Sequence, residues 1–322
     1  MIFRIRLALA CLLALAGLSA LAQGYPAKPI HLIVPWPPTG TVDILGRTLG
    51  QKLSENMAQS FIIDNRAGAN GIIGSDVGAK SPPDGYTLVV DNITGHAINA
   101  TLQARMPFDS LRDFAHVSLL AWVPDGIVGL PSLPARNVQE LIALAKAQPG
   151  KLTYASFGVG SSGHLAGELF KMMAGVDMLH VPYKGGGPAI ADLLAGQVSI
   201  YYPVLPSVVS LVKADRLRLL AVTGAQRSSA MPEVPTVAES GLPGFEASNW
   251  FGLMAPAGTP PEIVARLNSE TARAMQAPDL RAKLAALGME IQTSTPQEFS
   301  ALLRNETEKW AKVVKTSGAR AE

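Results

Sequence analysis

Five histidines stand at positions 31, 96, 116, 164 and 180, with no H-E-x-x-H or H-x-H spacing that would bring two of them onto one metal. The single cysteine, Cys11, can form neither an internal disulfide nor a Cys-based zinc site. Ser161, Ser162 and His164 are neighbours in sequence, yet Gly160-Ser161-Ser162-Gly163 lacks the G-x-S-x-G spacing of a nucleophile elbow. An exported serine hydrolase is therefore the weaker reading. The denser signal is of another kind. Four loops rich in glycine, proline and small polar residues follow strand-like runs, and three of them lead into a helix, where free backbone N–H groups and the helix dipole attract an anion.

The first loop runs from Pro35 to Asp43 and offers Trp36, Pro38, Thr39, Gly40, Thr41 and Asp43 as candidate ligand residues. Its plainer reading is a capped turn, with Thr41 as N-cap and Asp43 in the first helical turn. The second runs from Ala155 to His164 and contains G-x-G-x-x-G at Gly158, Gly160 and Gly163. A dinucleotide site would need an acid at the end of the next strand, but Asp177 opens that strand and Val181-Pro182-Tyr183-Lys184 closes it. As an anion cradle the same loop offers Gly158, Gly160, Ser161, Ser162 and His164. The third, His180 to Gly187, carries Tyr183 and Lys184, the lysine being either a cation for a bound acid or a solvated loop residue. The fourth, Val90 to Gly95, carries Asn92 and Thr94. Trp36 and Tyr202 suit an aromatic ligand, or pack.

Short β-rich runs alternating with amphipathic helical runs must position these loops. Strands are expected at 30–35, 61–64 and 86–91, with helices at 42–57 and 71–80 between them. The pattern restarts after Trp122, with strands at 152–156, 178–182, 198–202 and 217–223 and helices at 137–147, 165–174 and 189–195. Asn137 with Glu140 reads as a capping box. Thr259-Pro260-Pro261-Glu262 and Thr295-Pro296-Gln297-Glu298 read as two further helix starts, and Gly318 as the stop of the last helix, whose apolar face is Phe299, Leu302, Leu303, Trp310, Val313 and Val314. Alternation of this kind argues for βαβ units and parallel sheets, and in open α/β sheets ligands bind at the carboxyl ends of strands.

The chain has 322 residues, 48% apolar and 16% charged, with a formal charge of +2. That length suits two domains, and the balance of charge argues against nucleic acid, which needs a basic face. Arg4 and Arg6 precede an uncharged run from Leu7 to Ala22 that ends Ala20-Leu21-Ala22, the form of a cleaved secretory signal peptide. Cys11 sits too early in that run for lipidation. With the two leader arginines removed, 25 basic residues face 25 acidic ones. A neutral chain of this kind must attract an anion locally.

The chain resembles the extracytoplasmic solute-binding subunits of tripartite tricarboxylate transporters, the Bordetella uptake gene family. The matches include Tyr25 to Ile30, Pro37-Pro38, Asp64 to Ala69, Pro83 to Leu88, His180 to Gly187, Pro235 to Glu239, Trp250-Phe251-Gly252 and Ala255 to Pro260. The resemblance implies a two-lobed α/β periplasmic binding protein of Venus-flytrap, type II-like form, with an interdomain ligand cleft, no catalysis, no metal and no cofactor. Its partners would be a small organic carboxylate (a di- or tricarboxylate, or an aromatic acid) and the membrane permease subunits, with the chain acting as a monomer. A ligand sensor for a membrane receptor kinase is the alternative role. The expected division is a signal peptide at 1–22, one lobe from 23–122 with 246–322, and the other from 123–245. Thr39 departs from the paired glycines usual after the prolines, and Pro203 stands where many relatives carry an acid, which argues against amino-acid ligands.

Overall fold

The computed structural model describes residues 24–317. The leader with Cys11 and the stop at Gly318 lie outside the described residues. The chain builds two mixed sheets. In the first, β1 (Ile30–Val34), β2 (Phe61–Asn65) and β3 (Thr87–Asn92) run parallel, joined by α1 (Thr41–Met57) and α2 (Ile72–Ala79). Val42, Leu45, Leu49, Leu53 and Met57 recur at helical spacing and bury one face of α1. β4 (Phe114–Pro124) completes the outward pass, and β5 (Gly126–Gly129) opens the second sheet one residue later.

There α3 (Val138–Ala147), β6 (Thr153–Ser156), α4 (Ser162–Ala174), β7 (Leu179–Pro182), α5 (Gly186–Leu194), β8 (Ile200–Tyr201) and β9 (Arg218–Val222) follow in order. The chain then returns to the first sheet as β10 (Ser248–Pro256), before α6 (Pro261–Met275), α7 (Pro278–Ala285), β11 (Glu290–Ile291) and α8 (Pro296–Ser317).

The strand orders are β11-β4-β10-β3-β1-β2 and β7-β6-β8-β5-β9. In each sheet three parallel strands lie side by side with the earliest of the three in the middle. One antiparallel strand (β10 or β5) separates them from a fourth parallel one, so the two lobes share a plan although β5 comes first in its sheet and β10 late in the other. Two long central strands, β4 and β10, were not expected. They are buried almost throughout, only Ser248 of β10 being partly exposed, so the alternation that marks a half-exposed strand is missing.

Two of the expected helix starts are capped by the residues read there, although the Glu140 carboxylate accepts the Arg136 amide in place of that of Asn137. Asn137 Oδ1 accepts the Glu140 amide at 2.8 Å, and Thr295 and Glu298 bond reciprocally. Thr259 does not cap α6, because its hydroxyl donates to the Pro256 carbonyl instead. Where the chain passes between sheets, Asn249 Nδ2 donates to Asp125 Oδ1 at 2.8 Å and the Thr223 hydroxyl donates to the Asp125 and Ala247 carbonyls, tying the crossing segments side by side. Complete burial pushes the Asp125 carboxyl well above the usual carboxylate range.

Candidate functional site

The loops after β1 and β3 in one lobe and after β6 and β7 in the other converge on a cleft with two adjoining halves. One half, about 470 Å³, is lined by Trp36 to Val42, Asn92 and Phe251 from the first lobe and by Phe157, Lys184 to Pro188, Ile190, Tyr201, Val204 and Ser207 from the second. The other, about 760 Å³, adds Ala67 to Gly71, Gln103, Gly158, Val159, Pro182 and Tyr183. Trp36, Pro37, Phe157, Lys184 and Gly185 face both halves.

Two helix N-termini open on the smaller half. α1 starts after Gly40, which makes no side-chain cap, and its first intrahelical acceptor bond is Ile44 N–H to the Gly40 carbonyl at 2.9 Å. The amides of Thr41, Val42 and Asp43 precede that bond and have no intrahelical acceptor. Asp43 turns away from the cleft. Its carboxylate accepts the Thr39 amide, Arg47 Nε and Asn65 Nδ2 at 2.8–2.9 Å. Burial alone would raise its pKa, but the bonds from Arg47, Asn65 and Thr39 outweigh that and hold it below the usual range.

Across the cavity α5 begins at Gly186, three residues earlier than its apolar pattern suggests, and Gly185 before it has φ 111° and no side-chain cap. Nothing lies within 4 Å of where a Gly185 Cβ would stand, so backbone conformation and not space favours glycine there. Among the described residues, Lys184 is the one charged residue lining the smaller half.

Trp36 divides the two halves, and its orientation is fixed from behind. Its indole Nε1 donates to Asp91 Oδ1 at 2.6 Å, and the fully buried Asp91 carboxylate also accepts from Ser75 Oγ at 2.7 Å and the Asn92 amide at 2.8 Å. Asn92 reaches the cleft while its Oδ1 accepts the Thr94 and Gly95 amides.

Of the residues expected at the site, Trp36, Pro38, Thr39, Gly40, Thr41, Asn92, Gly158, Tyr183 and Lys184 line the cleft. Asp43, Thr94, Gly160, Ser161, Ser162, His164 and Tyr202 are not brought to its wall. The N-cap of α1 is Gly40, not Thr41. α4 does not offer a free N-terminus, because Ser161 Oγ caps it by accepting the His164 amide, and its hydroxyl in turn donates to the Gly158 carbonyl. His164 accepts the Gly160 amide on Nδ1 and stacks on His180 with ring centroids 3.9 Å apart. Burial lowers the His164 pKa to about 4, and burial with neighbouring His164 and Lys171 lowers that of His180 to about 3. Tyr202 packs edge-on against Tyr154 in the second-lobe core, while its neighbour Tyr201 reaches the cleft. Tyr183 donates to Asp192 at 2.7 Å, and burial and that bond push its phenol up to about 12.

No group of three or more His, Cys, Asp or Glu that could hold a metal occurs among the described residues, and no helix there is long and apolar enough to cross a membrane. Two α/β lobes meeting over a cleft rimmed by helix N-termini form a periplasmic binding protein. The profile of the tripartite tricarboxylate transporter family receptor matches residues 45–319, and the chain belongs to that family. It is 42% identical over 293 residues to the UPF0065 protein in the tcbD-tcbE intergenic region of Pseudomonas sp. strain P51, covering 91% of this chain and 87% of that one. It is 39% identical over 311 residues to protein BugT of Bordetella pertussis, covering 96% and 95%. Among solved structures, Rpa4515 of R. palustris with adipate is 40% identical and superposes with a TM-score of 0.88 over 92% of this chain and 99% of that one. Receptors of this family are periplasmic solute-binding proteins, and this chain is one of them and not an enzyme.

Proposed function

We propose that the chain captures a small organic carboxylate in the periplasm and delivers it to the membrane permease subunits of a tripartite tricarboxylate-type transporter. The observation that carries this reading is the pair of uncapped helix N-termini, at Gly40 and Gly185, opening on one cavity. Each offers amides and a positive dipole end to an anion without a formal charge of its own. Much of the remaining wall (Trp36, Pro37, Pro38, Phe157, Ile190, Val204, Phe251) is apolar, with Asn92, Lys184, Tyr201 and Ser207 as its polar members. This balance favours a diacid with an apolar middle or an aromatic acid over a hydroxylated tricarboxylate. The relative that holds adipate agrees with that preference.

In this reading residues 1–22 are the export signal, the lobes are 23–122 with 246–322 and 123–245, and the protein works as a monomer that closes on its ligand. A thermal-shift screen of mono-, di- and tricarboxylates tests it. At 100 times Kd, one-site linkage gives about 2.7 kcal/mol of stabilisation, a clear shift in Tm. Melting moved by sugars or amines, and by no carboxylate, would sink the assignment.

A further inference from the structure

Asn70 makes a hydrogen bond that neither lobe can make alone. Its Nδ2 donates to the Val159 carbonyl at 2.7 Å, from the single turn Ala69–Gly71 of the first lobe to the β6–α4 loop of the second. The turn is held in costly backbone. Ala69 at φ 47° and Asn70 at φ 53° are consecutive left-handed residues, a conformation asparagine tolerates and alanine does not favour. Such strain persists where neighbours over-determine it. Here the Asn70 carbonyl accepts Asn99 Nδ2 at 3.0 Å, and Gly71 N–H donates to the Gly68 carbonyl at 3.1 Å.

The opposing wall is shaped to receive this side chain. Gly158 has φ 150°, and a Cβ there would stand 3.1 Å from Asn70 Oδ1. Two residues on, Leu102 of the first lobe fills the space over Gly160, where a Cβ would come within 1.8 Å of Leu102 Cδ2. The contact borders the larger half of the cleft.

We propose that Asn70 is a latch, a positioning residue that bridges the lobes in the closed form and slows ligand release. This rests on the reading above only in that closure encloses a ligand. Two variants separate the amide from the backbone it sits on. Asn70→Asp keeps a residue that accepts the left-handed turn but sets an acceptor against the Val159 carbonyl. Asn70→Gly relieves the strain and removes the donor.

Spin labels at Ile62→Cys on the first lobe and Met172→Cys on the second, both exposed, report the interlobe distance in a mature chain that has no other cysteine. Both variants are expected to shift that distribution to longer distances without ligand and with adipate. With adipate as probe, the release rate should rise two- to tenfold, the range for one lost hydrogen bond, with the association rate unchanged. The Asn70→Gly protein should melt no lower than the parent. Distance distributions identical to the parent's in both variants would overturn the latch. A parent that fails to bind adipate would count against the ligand reading alone, since the distance measurement still decides the latch.

Discussion

A carboxylate built into the first-lobe cradle should exclude the ligand's own. Gly40 has φ −74° and ψ 169°, the extended conformation of an N-cap, and a Cβ there would meet only the Pro37 carbonyl oxygen, at an ordinary 3.4 Å. Gly40→Asp therefore fits without strain. As an N-cap it should stabilise the ligand-free protein by a few tenths to about 1 kcal/mol, by engaging the free amides and the dipole. Binding should move the other way. A ligand carboxylate on the Thr41 to Asp43 amides would stand about 5 Å from the new one. At an effective dielectric of about 20 the repulsion is about 3 kcal/mol, which lowers affinity roughly 150-fold. Gly40→Ser, a neutral cap competing for the same amides, should lose about fivefold. Calorimetric titration with adipate, alongside melting of the ligand-free proteins, measures both signs. If Gly40→Asp melts higher yet binds within threefold of the parent, the ligand carboxylate is not at this helix end.

Thr39, a β-branched residue at φ 68°, should be improved by glycine. Thr39→Gly removes about 1–2 kcal/mol of left-handed strain, partly offset by the unfolded-state entropy of glycine, so Tm should rise by about 1–3 °C in thermal melts. Stability should also fall with acid. His116, His164 and His180 are held neutral, with burial lowering their pKa values to about 4, 4 and 3 against the ordinary 6.5. The unfolded chain therefore binds more protons in that window, so this contribution is full above pH 6.5 and lost as pH falls from 6.5 towards 4, and for His180 towards 3. Its size is on the order of 3 kcal/mol per histidine. Urea unfolding at pH 7 and pH 4.5 checks it, and equal stability at the two would refute it. Adipate should bind at least fivefold more tightly than citrate in the same titration, and a preference for citrate would show that the apolar walls do not set the choice of acid.

The loops at strand ends were legible because they depend on local chemistry. Glycine, proline and small polar residues between an apolar run and an amphipathic one mark a strand-to-helix turn wherever they occur, and Trp36 to Thr41, Asn92, Gly158, Tyr183 and Lys184 were found that way. What the sequence did not show has physical reasons. Tyr202 was preferred over Tyr201 because a strand turns alternate residues to opposite faces, and the short β8 gives no pattern from which to choose the face. α5 was read from Ala189, where its apolar residues begin, but three residues of low helical propensity, Gly186, Gly187 and Pro188, form its first turn and bring its N-terminus to the cleft. In the second lobe the glycines and serines before α4 look the more receptive, yet Ser161 spends its hydroxyl capping that helix. Phe251 carries no local signal of a site, and only the pairing of β10 with β3 brings it to the cavity.

A cradle of backbone amides recognises charge and little else, so discrimination among acids must come from the walls. Trp36 is the wall best placed to do this, because it borders both halves of the cleft. Its only hydrogen-bond donor is already committed, at 2.6 Å, to a carboxylate buried in the first lobe. The indole therefore offers a ligand apolar surface and no donor, and Phe157 and Phe251 add more of the same. A hydroxyl on the ligand body would be desolvated against these rings, and leaving it unpaired costs about 1–3 kcal/mol, or roughly 5- to 150-fold in affinity. An apolar methylene chain or aromatic ring at the same place is favoured by about 25 cal/mol for each Å² removed from water. In the proposed carboxylate-capture reading, Asp91 would act on ligand choice from behind the wall. By holding the indole N–H away from the cleft, it keeps that surface apolar.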